Sequence, residues 1–190
     1  MSNVTEAVWR AWKNAPTDPP SAAVQDALDA AEEAIGDDCA RLFVVADVTP
    51  TERLYVPTWG DPVLRIHDCV AVSAIDNDGV AVTDYQLEPV GDSWSGDSRP
   101  YTQIRLLGGD GWAVDQGRAT VGVTARWGWT ALPARYSNAV KILAADVLDS
   151  RDVRNGVIGM TDFAAVRVRE NATVVKLLAK LRRAESWAVA

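Results

Sequence analysis

The sequence is poor in the side chains that do most protein chemistry. It has one histidine, His67, two cysteines, Cys39 and Cys69, two methionines and two phenylalanines among 190 residues. Two cysteines cannot make a disulfide framework, and they suit a chain kept in a reducing compartment. His67-Asp68-Cys69 is the sole clustering of metal-ligand types. A strand would put His67 and Cys69 on one face, but no second pair exists to complete a four-ligand site. No metal or other cofactor is expected. Long apolar runs are missing too. The longest is Leu42-Phe43-Val44-Val45-Ala46, against the roughly 18–20 residues a bilayer span needs. The opening Met1-Ser2-Asn3-Val4-Thr5-Glu6 has no basic stretch leading into an apolar one, so neither a secretory signal nor a membrane partner is expected.

Positive charge is scarce and badly distributed for gripping nucleic acid. Lys and Arg number 19 against 26 Asp and Glu, a net of −7. Residues 151–190 carry eight basic and four acidic side chains, whereas residues 1–150 carry 11 and 22. Tight DNA binding draws on counterion release from a basic face, which this chain lacks. The basic tail reads instead as a docking element. Phosphate-cradling motifs are absent: there is no G-x-x-x-x-G-K-[ST] and no G-x-G-x-x-G between a strand and a helix.

What remains, 48% apolar and 24% charged, is the composition of a globular chain of one domain. Three regimes succeed one another: N-terminal helices to residue 39, a β-rich stretch over 40–129, and C-terminal helices with a tail over 130–190. Val4, Val8 and Trp12 recur at helical spacing before Asn14-Ala-Pro16-Thr-Asp-Pro19-Pro20 breaks the run. Val24, Ala27, Leu28, Ala31 and Ile35 then form a 3.6-residue stripe, with Ser21 as N-cap and Gly36 as stop. Asp26, Asp29, Glu32 and Glu33 lie off that stripe and form an acidic face. Asp37-Asp38, a carboxylate pair in principle, reads as a solvated helix end.

From Arg41 to Trp129 the period is two. Val121, Val123, Ala125 and Trp127 alternate with Thr120, Gly122, Thr124 and Arg126, and further strands are predicted at 42–46, 53–56, 63–67, 70–75, 80–87 and 104–107. Asp76-Asn77-Asp78-Gly79 is a hairpin turn, because Asn, Asp and Gly accept positive φ. As a calcium loop it fails, since Ala74 and Tyr85 would take the end positions. Gly91–Gly96 and Gly108–Gly111 are loops. In the last regime Pro133 opens a helix carrying Tyr136, Val140, Leu143, Val147 and Leu148 inward, which Asn155-Gly156 stops. A loop with Gly159, an extended piece Ala165–Arg169 and a final helix follow. Asn171 caps that helix, with Val174, Leu177, Leu178 and Leu181 inward and Lys176, Lys180, Arg182 and Arg183 outward. The predicted architecture is α+β: a helical bundle from both chain ends with a small antiparallel β-subdomain inserted.

Catalysis finds little support. Gly91-Asp92-Ser93-Trp94-Ser95 starts like a nucleophile elbow, but its second glycine is Ser95 and any triad would have to use His67. The chain is expected not to be an enzyme. Eight tryptophans read chiefly as core and subunit-contact packing. The alternative is a carbohydrate-binding or other accessory module with Trp59, Trp94 and Trp112 as its stacking platform.

The run Val123-Thr-Ala-Arg-Trp127-Gly-Trp129-Thr-Ala-Leu-Pro133, with Ala139 and Leu143-Ala-Ala145 on a helix, resembles the head-to-tail adaptor proteins of long-tailed bacteriophages, also called head-tail connector or head-completion proteins. The Gly156/Gly159 loop, Ala165–Arg169 and the Leu-rich helix ending in Arg182-Arg183 continue the likeness. Upstream, Ala30–Ile35, Cys39–Phe43, Tyr85–Pro89 and Arg99–Ile104 are similar to the same family, so the resemblance spans residues 22–183. It implies a non-enzymatic ring subunit, commonly one of twelve, assembled in the host cytoplasm and resident at the capsid–tail junction of the virion. It implies as partners the portal protein, the head-to-tail stopper or tail-completion protein, and genomic double-stranded DNA passing through the lumen without sequence-specific binding. On that footing Val174, Leu177, Leu178, Lys180, Leu181, Arg182, Arg183 and Trp187 are expected at the portal interface, the leucines otherwise completing the bundle core. Asp26, Asp29, Glu32 and Glu33 are expected on the channel wall, or simply solvated. The loops at Asp76, Asn77, Asp78 and Gly79, and at Gly108–Gly111, are expected to face the tail. The N-terminal Val4–Trp12 and the tail Glu185-Ser-Trp187 depart from the family pattern.

Overall fold

A computed structural model describes residues 3–90, 99–108, 111–151 and 160–183. The chain divides into two compact units, one of Met1–Arg41 with Pro133–Ala190 and one of Leu42–Leu132. The first is helical and the second holds an antiparallel sheet, so the fold is α+β, with helices from the two chain ends and strands between.

In the helical unit α1 spans Glu6–Lys13, α2 Ser21–Cys39, α3 Ala134–Arg151, α4 Met160–Glu170 and α5 Ala172–Leu178. The stripe of α2 is buried as its spacing dictates: Val24, Ala27, Leu28, Ala31 and Ile35 are all sealed from solvent. On α3, Tyr136, Val140, Leu143, Val147 and Leu148 turn inward and meet α2. Each fully buried Leu or Val contributes about 1.5–3 kcal/mol, so this row holds the bundle together. Ser21 is the first helical residue rather than the N-cap, which is Pro20. The helix also runs past Gly36. It ends at Ala40, a left-handed residue (φ 50°), where the Ala40 and Arg41 amides donate back to the carbonyls of Asp37 and Gly36. This closure normally selects glycine or asparagine, so an alanine gives no sequence warning of it.

Residues 165–169 form the body of α4 rather than an extended piece. Ala-Val-Arg-Val-Arg alternates, but the alternation is incidental: Ala164 and Val168, four apart, are the buried pair, and α4 packs on α2 and α3. Asn171 caps α5 as its sequence predicts, accepting from the amides of Thr173 and Val174. Its own amide donates to Asp146 of α3 at 2.7 Å. The predicted stop at Asn155-Gly156, and Gly159, lie outside the described residues.

The sheet of the second unit contains β1 Thr51–Tyr55, β2 Val63–Asn77, β3 Val80–Ala81, β4 Tyr85–Glu88, β5 Tyr101–Leu106 and β6 Val121–Trp127. Its order is β1-β6-β2-β5-β4, every pairing is antiparallel, and β3 adds to the end of β2. The predicted strands 63–67 and 70–75 are one strand of 15 residues. It carries register shifts between Arg65 and Cys69 and again up to Ala74, and such bulges let it bend without ending. The predicted strand 80–87 is two short ones, and 42–46 is not a strand beyond a single bridge from Val45 to Trp129. The core is Leu64, Ile66, Cys69, Ile75, Ile104, Val121, Val123, Ala125 and Trp127, flanked by Tyr55 and Trp112.

Candidate docking surfaces

Asp78 and Gly79 both have positive φ (54° and 85°), and Asn77 pairs with Val80 across them. These are the signs of the tight hairpin the sequence announces. The Asp76 carboxylate accepts the Gly79 amide at 2.9 Å. Asn77 turns its side chain to the following loop, accepting from the Ala113 amide at 2.8 Å and donating to the Gly111 carbonyl. The tip therefore presents Asp76 and Asp78 to solvent on a braced stem.

Asp26, Asp29 and Glu33 are exposed along α2. Glu32 behaves differently. Its carboxylate accepts the Val4 amide at 3.0 Å and the Asn3 side chain at 3.2 Å, tying the N-terminal segment to the bundle. Burial, and secondarily the Glu32 charge, pushes the nearby Tyr136 phenol above its ordinary range. Val4 is buried and Trp9 is sealed, its indole N–H donating to the Lys141 carbonyl. The Arg10 guanidinium and the Ser21 hydroxyl both donate to Glu6 and hold its carboxyl below the usual range.

At the other end of α2, Val174, Leu178 and Leu181 of the last helical segment are buried within the bundle, while Leu177 is half-buried and Lys176 and Lys180 are exposed. Arg182 meets Asp38 at 2.8 Å, with Arg169 at 3.9 Å from the same carboxylate, and the Arg183 amide donates to the Cys39 carbonyl. Asp38 is thus no solvated helix end: its side chain is only 10% exposed. Sequence spacing gives no hint of this cluster, because its members are brought together only by bundle closure. Trp187 lies outside the described residues.

The remaining chemical leads come apart. The bulge in β2 sends His67 outward and Cys69 inward, so the two do not share a face. His67 pairs through Nδ1 with the Tyr55 hydroxyl at 2.9 Å. Burial pushes both Cys39 and Cys69 thiols up to about 12, which removes the thiolate that reactivity requires. Among the described residues no three His, Cys, Asp or Glu side chains converge as a metal site. The tryptophan platform does not assemble: Trp112 is buried with its indole N–H on the Pro62 carbonyl, Trp59 is exposed, and Trp94 lies outside the described residues, as does Ser93. No helix is long and apolar enough to cross a membrane among the described residues.

No protein-family profile matches the chain, and no curated protein matches it by sequence. Solved structures do share its fold. One, in the neck of a native gene transfer agent (GTA) particle computed with C12 symmetry, is 17% identical, with a TM-score of 0.56 over 100% of this chain and 96% of that one. A second, in the neck of an empty GTA particle computed with C6 symmetry, is 20% identical, with a TM-score of 0.58 over 96% and 91%. A third, in the virion of a native GTA particle, is 25% identical, with a TM-score of 0.50 over 90% and 82%. The whole chain, helical unit and sheet together, thus has the fold of chains found in the necks of phage-like particles.

Proposed function

We propose that this protein is a structural virion component, a head-to-tail adaptor that forms a ring beneath the portal, extends the DNA channel and offers the attachment surface for the stopper or tail. The observation that carries this reading is the likeness of fold to neck chains over at least 96% of this chain and 91% of theirs. The resemblance borne by Val121–Arg183 points the same way.

The surfaces suit such a role. A conduit must let a polyanion slide, so its wall works best without the Lys/Arg arrays that condense on phosphate. Asp26, Asp29 and Glu33, exposed on one helix, would supply that wall. The end of the chain, with Lys176 and Lys180 exposed and Val174, Leu178 and Leu181 committed to the bundle, would meet the portal through charge rather than through its leucines. The braced Asp76–Gly79 tip would face the tail. No residue is assigned a chemical step.

The test is location and loss. Gold-labelled antibody against this chain is expected at the head–tail junction of particles, and cells lacking it are expected to accumulate filled heads without tails. Label spread over capsid sides or tail fibres, or complete particles without the chain, would overturn the reading.

A further inference from the structure

Among the described residues the sheet ends in two unlike edge strands. Among the described residues β1 has β6 as its sole strand neighbour and β4 has β5. A strand paired on one side only is a template for another strand. Natural sheets guard such edges with lysine or with proline inside the strand. Here β1 carries Glu52 and Arg53 and β4 ends in Glu88, but all four lysines, Lys13, Lys141, Lys176 and Lys180, fall outside residues 42–132. Pro50, Pro57 and Pro89 flank the edge strands without entering them.

Exposed apolar side chains are frequent in the sequence around the same two edge strands. Leu42, Val45, Val48, Leu54, Val56 and Trp59 cluster in sequence around β1, with Trp59 83% and Leu54 64% exposed. Val80, Val90 and Leu107 sit on or next to β3, β4 and β5. These strands lie on the side of β2 opposite β6, since Asp76 and Asn77 pair with β3 on one side and β6 on the other. Two different apolar flanks on one sheet are what a cyclic assembly requires, because rings above two-fold close by heterologous contacts.

Strand polarity agrees. Four successive antiparallel pairings separate β1 from β4, so the two edges run in the same direction. A rotation about one axis, as in a ring, preserves a strand's sense along that axis and would bring β1 of one copy beside β4 of the next in parallel. We infer that the β1 flank of each copy of this chain joins the β4 flank of its neighbour, making the sheet continuous from subunit to subunit. This inference rests on the ring reading proposed above.

Cysteine cross-linking tests it. Tyr55 is buried, which places Leu54 on the outer face of β1; Leu87 faces the buried Ile104, which places Gln86 on the outer face of β4. Native Cys39 and Cys69 are buried and do not compete. Under mild oxidation of concentrated protein, the Leu54→Cys/Gln86→Cys double variant is expected to give a ladder of covalent multimers, and each single variant nothing beyond a dimer. Glu52→Cys/Gln86→Cys covers a two-residue offset in register. Rings in electron micrographs with no ladder from either double variant would overturn the edge junction and leave the ring intact. Neither ring nor ladder would remove both. Leu54→Asp, on an exposed site, is expected to weaken self-association at least about tenfold with an unchanged far-UV spectrum. Undiminished association would also overturn the junction.

Discussion

Asp38 and Arg182, 144 residues apart in sequence, meet at 2.8 Å and fasten the end of α2 to the segment that follows α5. Arg169 of α4 approaches the same carboxylate at 3.9 Å. Because the Asp38 side chain is only 10% exposed while Arg182 is 35% exposed, the pair lies between a surface ion pair and a buried one. Asp38→Asn is expected to lower stability by about 1–2 kcal/mol, read as a lower urea midpoint at unchanged slope. Arg182→Gln alone should cost less, and the double variant less than the sum of both, since the two share one interaction.

The cap at Asn171 serves two elements. Its carbonyl oxygen takes the amides of Thr173 and Val174, and its amide reaches Asp146 of α3. Asn171→Ala is expected to cost about 1–2 kcal/mol, with amide hydrogen exchange accelerated first in α5. Asn171→Asp keeps the cap but puts a second carboxylate beside Asp146. It should keep α5 better protected than Asn171→Ala does while losing the tie to α3.

Two glycines with positive φ should respond very differently to alanine. Gly128 (φ 117°) is buried, and a Cβ there would stand 2.5 Å from the Val44 carbonyl oxygen. Gly79 (φ 85°) has open space around it. Gly128→Ala is expected to cost about 2–4 kcal/mol and Gly79→Ala about 1 kcal/mol. Tryptophan fluorescence during denaturant unfolding reads both.

Alkaline stability should follow the thiols. Desolvation raises Cys39 and Cys69 from 9.0 to about 12 in the folded chain, so the folded state keeps protons that the unfolded state releases. Their contribution is complete below pH 9 and is lost as the pH rises from 9 towards 12. Replacing both residues with alanine is expected to flatten that part of the stability–pH curve. Thiol-reactive dyes should label the native protein only as fast as it unfolds.

Periodicity carried the helices a long way. The α2 and α3 stripes name their buried faces directly, because a 3.6-residue repeat of apolar side chains has few other uses. Asp78-Gly79 names its turn because few residues take two positive φ values in succession. Patterns whose meaning depends on distant chain were misleading. Alternation at 165–169 looks like a strand until Ala164 and Val168 are seen buried together on a helix. The break at Asp68 looks like a strand end until β5 is seen pairing with β2 on both sides of the bulge. The candidate surfaces follow the same division: the exposed carboxylates of α2 are legible, whereas the removal of Glu32 to hold Val4 is not.

The sequence by itself determined the buried faces of α2 and α3, the cap at Asn171 and the turn at Asp78-Gly79, since local repeat and turn chemistry are properties of the chain alone. Tertiary structure decided which carboxylates remain in water, how long β2 runs, and that the outermost described strands, β1 and β4, run in the same direction. Each of these depends on which distant residue arrives opposite, and a partner's identity is not written in local spacing.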